Sequence, residues 1–382
     1  KGTNSVSVDN AKLLSNYRIY GNSVQDGTPT PDNPVEIKSV GDLVTDTNDS
    51  NYGKYKIGVK TTGKNLLKLH NVSPGKTIEL NGITLKFNED GSFVANGTAT
   101  KHAFFSPFYI SQVLQENKKY RASCPTGNQS GTTFQVYIDK TDIADGVFAL
   151  EDGKTFTTKA SGTINFRFVV YNGTTIDNVV FKPQLEEGET TTEYEPYHEE
   201  TTNIYLDEPL RQIDNHTDYI DFKSGKVIRN TGSYIFQGNE EFGNQGGEYD
   251  TNSKIFFSTV FSSNFLNGLM NNRKVQSNYF LQSTNTVQSN LDITGINFYL
   301  GKQYSNFLYF KLPKTILETL DSAGMSKWVK GLYDSGNPLI INYQINQKEE
   351  SVSLPSIDLS KTKYINIESD TNPSSIELDY VK

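Results

Sequence analysis

Asn165, Arg167 and Val169 alternate with Phe166, Phe168 and Val170. Successive side chains of a strand point to opposite faces, so a period of two with one apolar side fixes a strand with one buried face. Asn172-Gly173 supplies the turn that follows, and Val179 with Phe181 begin a second strand. From Pro183 to Glu200 there are seven glutamates and no lysine or arginine. That run reads as a solvated acidic exit and marks the border of a β-domain.

The rest of the chain repeats this pattern. Strands are expected at Tyr17–Tyr20, Val35–Val40 and Tyr55–Lys60, with a proline-stiffened crossing through Pro29, Pro31 and Pro34 that cannot pair as a central strand. Ala11–Leu14 allows one turn of helix. Further strands follow at Thr84–Phe87, Ser92–Ala95 before an Asn96-Gly97 turn, Ala103–Ile110, Lys119–Ser123, Thr133–Lys140 and Gly153–Thr158. Beyond the exit, Tyr219–Phe222, Lys226–Arg229, Lys254–Phe261 and Gly295–Leu300 continue the series, with a mobile loop expected at Gly238–Asn252. Pro313–Leu332 alone carries a 3.6-residue period, through Ile316, Leu317, Leu320, Trp328 and Val329, interrupted by Gly324. Trp328 reads as its core anchor. The chain is therefore all-β with one helix near 313–332. At 382 residues it holds two or three domains, packed by tyrosine and phenylalanine, since it has one tryptophan and two methionines.

Several chemistries are argued against. A net charge of −8 gives no basic footprint for a phosphate backbone, so nucleic acid is not an expected partner. No run approaches the roughly 20 apolar residues of a membrane-spanning helix. His70, His102, His198 and His216 share no zinc spacing, and Cys124 stands alone, so it reads as a buried structural thiol. Gly58-Val-Lys-Thr-Thr-Gly63-Lys64 is a partial phosphate loop, but Asn65 stands where a hydroxyl for magnesium is needed and no helix opens after it. Strand plus turn accounts for it. The absence of a starting methionine and of a signal-peptide pattern leads to the expectation of a fragment or processed chain.

Lys182-Pro-Gln-Leu-Glu-Glu-Gly188 with Thr192-Glu-Tyr-Glu-Pro-Tyr197 resembles the C-terminal signature of carbohydrate-binding-like jelly-roll modules in tail proteins of phages and prophages of Gram-positive bacteria. Three other stretches are similar to the same tail proteins: Tyr20-Gly-Asn-Ser-Val-Gln-Asp-Gly-Thr-Pro-Thr-Pro-Asp-Asn-Pro-Val-Glu-Ile-Lys-Ser-Val-Gly41, Tyr205-Leu-Asp-Glu-Pro-Leu-Arg211 and Tyr219-Ile-Asp-Phe-Lys-Ser-Gly-Lys-Val-Ile-Arg229. In such proteins a strand like 55–63 can lead almost directly into one like 201–206. The resemblance thus implies a jelly-roll β-sandwich at 64–198, inserted in a discontinuous β-rich domain of residues 1–63 plus 199–382.

If Phe134, Val136 and Ile138 face inward, Gln135, Tyr137 and Asp139 face outward, and Arg167 and Tyr171 belong to the outer face of the Thr163 strand. Those five residues could line a glycan groove, because a sugar needs an aromatic face flanked by groups that pair with hydroxyls. Asp139, Asp142 and Asp145, with Asp177 or Glu186, are oxygen donors suited to a structural calcium, but their spacing follows no strict loop motif, so no cofactor is assigned. The resemblance implies a virion protein of the tail tip, baseplate or fibre, a homo-oligomer such as a trimer. It would adhere without catalysis to cell-surface glycans of a Gram-positive host and contact other tail or baseplate proteins. The alternatives are a purely structural tail component and a polysaccharide-depolymerising tail enzyme. The last would need two carboxylates facing each other across a cleft.

Overall fold

The computed structural model describes residues 4–7, 17–69, 72–110, 113–124, 130–137, 143–144, 148–150, 154–244, 252–261, 274–281, 295–300, 306–358, 361–370 and 377–380. Ala11–Leu14, His70, Asp139, Asp142 and Asp145 lie outside these residues. The described chain is all-β, built of antiparallel sheets with a single α-helix among the described residues.

Strands between Leu67 and Glu187 form a sandwich. One sheet runs in the order Phe148–Leu150, Thr132–Tyr137, Asn165–Val170, Ala103–Ile110, Leu67–Leu69. Facing it are a four-stranded sheet (Thr175–Phe181, Phe93–Thr98, Ile83–Phe87, Thr77–Leu80) and a three-stranded one (Lys154–Thr157, Lys119–Ser123, Gln184–Glu187). The alternation around Phe166 closes this core: the Phe168 ring sits 5.1 Å from Phe93 and 4.8 Å from Phe181, all three fully buried. Each such ring contributes roughly 1.5–3 kcal/mol through burial. Cys124 lies in the same cluster as a buried thiol. Asn96-Gly97, expected as a turn, instead lies within strand Phe93–Thr98, where the register shifts between Ala95 and Gly97 and Gly97 takes φ 120°. The glycine makes a bulge there, which keeps the strand paired on both sides.

On leaving this sandwich the chain rejoins the strand from which it departed. Tyr55–Thr62 and Glu199–Leu206 pair antiparallel without a break, from Glu199 opposite Thr62 to Leu206 opposite Tyr55. Tyr364–Glu368 flanks Tyr55–Thr62 on its other side. This sheet packs on a second, six-stranded sheet (Val275–Ser277, Ile340–Ser351, Lys226–Ile235, Tyr219–Asp221, Tyr17–Tyr20, Glu377–Tyr380) through Ile57, Val59, Ile204 and Ile367 against Ile19, Ile220 and Val227. The long strands Lys226–Ile235 and Ile340–Ser351 then carry the six-stranded sheet into another core. There Phe236, Ile341 and Tyr343 meet Phe256, Leu308 and Phe310 of a four-stranded sheet.

Between the two cores the register of these long strands jumps, so that Arg229 opposes Lys348 but Thr231 opposes Gln344. Fully buried Asp218 occupies this break. Its carboxylate accepts the backbone N–H groups of Asn230 (2.8 Å), Thr231 (3.0 Å) and Arg211 (3.2 Å) and the Thr231 hydroxyl (2.9 Å), and it faces the Arg229 guanidinium at 3.2 Å. Arg229, 4% exposed in its side chain, also donates to the carbonyls of Pro209 and Glu208. Donors in this irregular stretch of backbone would be costly to bury without an acceptor, and Asp218 satisfies them.

Three expectations need correction. The helix spans Ser322–Asp334, preceded by a short 3-10 turn at Lys314–Ile316. Asp321 caps it by accepting the Gly324 N–H at 2.8 Å, and Gly336 at φ 81° lies just past its end. Gly324 therefore belongs to the first turn, where a Cβ would stand 1.9 Å from the Thr319 carbonyl oxygen. Trp328 packs edge-on against Tyr279 and Phe280. Second, Val35–Val40 forms only the two-residue strand Lys38–Ser39, because Val35 donates its N–H to the Asn278 carbonyl and leaves the ladder. Third, the described part of the Gly238–Asn252 loop is anchored. Buried Glu240 accepts the N–H groups of Gln237 and Gly238, and Phe242–Asn244 pairs with Ser253–Ser258.

Candidate functional site

The acidic exit is solvated at Glu189, Glu193 and Glu200, but Glu186 and Gln184 are buried. Gln184, fully buried, donates from Nε2 to Glu186 (2.9 Å) and to the Thr192 carbonyl (3.0 Å), and accepts the Glu195 N–H at 3.3 Å. Glu186 is 3% exposed and accepts the Thr192 N–H and hydroxyl at 3.0 and 2.7 Å. Tyr194, beneath the Lys182 ammonium, donates its hydroxyl to the Asp90 carbonyl. The Lys182–Tyr197 stretch is thus a clasp that ties the outgoing chain to the sandwich. Burying Gln184 and Glu186 is tolerable because each polar atom finds a partner. Glu186, one of the calcium candidates, spends its oxygens in this clasp, and Asp177 is an exposed residue bonded to Asn178. No cluster of metal-ligating side chains occurs among the described residues.

The outward face of the sheet containing Asn165–Val170 carries the exposed chemistry. Strand Ala103–Ile110 sends Phe104, Ser106 and Tyr109 outward, the register shift between Phe105 and Phe108 allowing the change of step. Phe104 is 49% exposed, Tyr109 38% and Tyr171 37%. The Arg167 guanidinium lies 4.9 Å from the Phe104 ring centre. His102 meets Tyr171 edge-on at 5.6 Å and lies 6.3 Å from Phe104; its Nδ1 accepts the Asn172 N–H at 3.2 Å, which places the neutral imidazole proton on Nε2. At the other end of the strand Lys68, opposite Tyr109 in register, stands 6.0 Å from the Tyr109 ring and 5.4 Å from Tyr197. From His102 to Tyr109 the stripe runs roughly 20 Å, given about 3.3 Å per strand residue.

Of the five residues expected in the groove, Arg167 and Tyr171 belong to this stripe. Gln135 and Arg167 are Cα partners on neighbouring strands, and Tyr137 opposes Asn165. Asp139 lies outside the described residues. Thr133 and Val169, sent outward by the same alternation, are buried, whereas Asn165 on that face is exposed. Sequence reasoning missed Lys68, His102, Phe104 and Tyr109. Ala103–Ile110 is aromatic on both faces, so polarity alone cannot tell which rings point out.

The stripe ends at an ionic junction. Glu199 accepts from Lys60 and Lys68, each at 2.6 Å, and from the Tyr197 hydroxyl. Burial would push the Glu199 carboxyl up, but these three hydrogen bonds outweigh it and bring it down from 4.5 to about 2. A depressed carboxyl stabilises the fold fully above its ordinary value, and that contribution fades as pH falls from about 4.5 through about 2. Urea unfolding between pH 6 and pH 2.5 is expected to show a steeper acid loss in the native chain than in Glu199→Gln. Parallel curves would disprove the linkage.

Comparison with protein-family models, with curated proteins and with solved structures returned no match, so the site is read from the chain's own geometry.

Proposed function

We propose that this chain is a receptor-binding protein of a phage tail, adhering without catalysis to glycans on the surface of a Gram-positive cell through the outer face of a jelly-roll insert at 64–198. The observation that carries the reading is the stripe itself, with three exposed aromatic rings on one sheet face and Arg167 and Lys68 seated against two of them. A pyranose presents an apolar face to such rings and its hydroxyls to flanking donors. A sheet face serving only as solvated surface has no need of Phe104 half exposed on it. Among the described residues of this stripe the one carboxylate is Glu199, already held by two lysines.

In this reading the protein belongs to the virion, at the tail tip, baseplate or fibre. It meets other tail proteins and acts as a homo-oligomer such as a trimer. Shallow sites bind weakly one at a time, and several copies on one tail gain through effective concentration. The test is retention of the labelled, folded protein on cell-wall polysaccharides from a panel of Gram-positive strains, beside Phe104→Ala with Tyr171→Ala. Strain-selective retention falling at least about tenfold in the double variant is the expected result. Absence of retention on every polysaccharide would overturn the adhesion reading and leave an architectural role.

A further inference from the structure

A second concave surface lies in the other part of the chain, on the six-stranded sheet. Strands Tyr17–Tyr20 and Tyr219–Asp221 place Tyr20 opposite Tyr219, with ring centres 5.5 Å apart. The Arg18 guanidinium lies 4.9 Å from the centre of the Tyr219 ring and its Nε stands 3.6 Å from Asp221. Over this pair rises the short hairpin of Gln212–Ile213 and His216–Thr217, whose turn uses Asp214 in the left-handed region at φ 54°. Between them is a cleft of about 670 Å³ that also takes in Asn22 and Asn230. This volume falls within the roughly 300–1,000 Å³ of small-molecule sites.

The cleft depends on a close approach of two backbones. Gly21 donates its N–H to the Asp218 carbonyl at 2.7 Å, and a Cβ there would lie 2.7 Å from the Leu210 carbonyl carbon and 2.8 Å from the Arg211 nitrogen. Tyr20–Asn22 is thereby brought against the Leu210–Gln212 and His216–Tyr219 stretches, some 190 residues further along the chain.

We propose that this cleft is a binding site for an uncharged saccharide, distinct from the aromatic stripe and independent of it. Two features carry the assignment. The Tyr20–Tyr219 pair offers an apolar wall to a sugar ring. The Gln212 side-chain amide, the His216 imidazole and the Tyr219 hydroxyl make no hydrogen bond to any described residue, so donors and acceptors of both kinds stand available around that wall. Arg18 lies against the Tyr219 ring and 3.6 Å from Asp221, so its charge faces a carboxylate beside the cleft, which favours a neutral, hydroxyl-rich ligand over an anion.

The experiment is saturation-transfer difference NMR on the full chain with the methyl glycosides of glucose, galactose, rhamnose and N-acetylglucosamine. The variants are Gln212→Ala with His216→Ala, Tyr20→Ala, and Phe104→Ala with Tyr171→Ala, each checked for native circular dichroism. The Gln212/His216 pair sits on a surface hairpin and leaves the cores untouched, so it stays informative should Tyr20→Ala fail to fold. Transfer to at least one glycoside is expected, reduced at least about fivefold in the Gln212/His216 pair and retained in the Phe104/Tyr171 pair. Transfer to none of the four, or transfer unchanged by the Gln212/His216 pair, overturns the proposal. A signal that disappears with Phe104 and Tyr171 but survives loss of Gln212 and His216 places binding on the stripe alone, removing this site while keeping the adhesion reading.

Discussion

Asp218→Ala is expected to destabilise the chain by about 3–5 kcal/mol, the range for breaking a buried ion pair by removing one partner. The substitution takes the buried carboxylate partner from the Arg229 guanidinium, whose side chain is 4% exposed, leaving it the partly exposed Glu350, and removes the acceptor of the Asn230, Thr231 and Arg211 N–H groups. Each abandoned donor adds a desolvation cost of about 1–3 kcal/mol where water cannot reach it. Asp218→Asn retains the acceptor oxygen but leaves the guanidinium with the partly exposed Glu350 as its carboxylate partner. It should fall between the native chain and Asp218→Ala. Combining Asp218→Ala with Arg229→Met should cost less than the sum of the two single changes, because the second removes the charge whose buried partner the first took away. Chemical denaturation of the four proteins measures this coupling. Strict additivity would show that the pair does not act as a unit.

Tyr364→Ala is expected to cost about 3–5 kcal/mol, as for truncation of a large buried aromatic residue. Tyr364 belongs to a strand of the sheet that holds Tyr55–Thr62, yet its ring is part of the core between Leu66 and Leu185, and its hydroxyl donates to Glu187 at 3.1 Å. Burial pushes its phenol far above the usual tyrosine range, so the hydroxyl remains a donor at any physiological pH. Tyr364→Phe, which keeps the ring, should cost about 1 kcal/mol, since Glu187 retains Lys118. In calorimetry Tyr364→Ala should separate the unfolding of the sandwich from that of the remainder, with faster proteolysis near Gly63 and His198. One unsplit transition in Tyr364→Ala would show that the two parts are coupled by other contacts.

The strand alternation around Phe166 was legible because one face is uniformly apolar and the other is not. The same argument placed Arg167 and Tyr171 outward, and the stripe contains both. It failed at Ala103–Ile110, where Phe104, Phe105, Phe108 and Tyr109 offer no polar contrast and a change of step moves Tyr109 to the outer face. At the acidic exit it held for the exposed Glu189, Glu193 and Glu200 and failed at Glu186. Charge counting treats a carboxylate as solvated, whereas Glu186 is buried by partners six residues away and Gln184 by partners up to eleven away. Gly324 and Gly97 were read as breaks from their propensity alone, but each marks a place where the backbone needs room inside a regular element. The Asp218 network was not legible at all, because Arg211, Asp218, Arg229 and Glu350 meet only once the long strands have paired.

The paired stems Tyr55–Thr62 and Glu199–Leu206 bear on how the chain responds when the sandwich is pulled. Both ends of the sandwich leave the sheet side by side, so tension on it divides between two strands drawn in the same direction. Tyr55–Thr62 would then have to slide along its neighbour Tyr364–Glu368, loading hydrogen bonds from Thr62 through Gly58 together instead of peeling them one at a time. Rupture under force is governed by the unfolding barrier and not by equilibrium stability. The strand exchange at Thr62 and Glu199 therefore sets a mechanical strength for the seating of the sandwich, separate from its equilibrium stability.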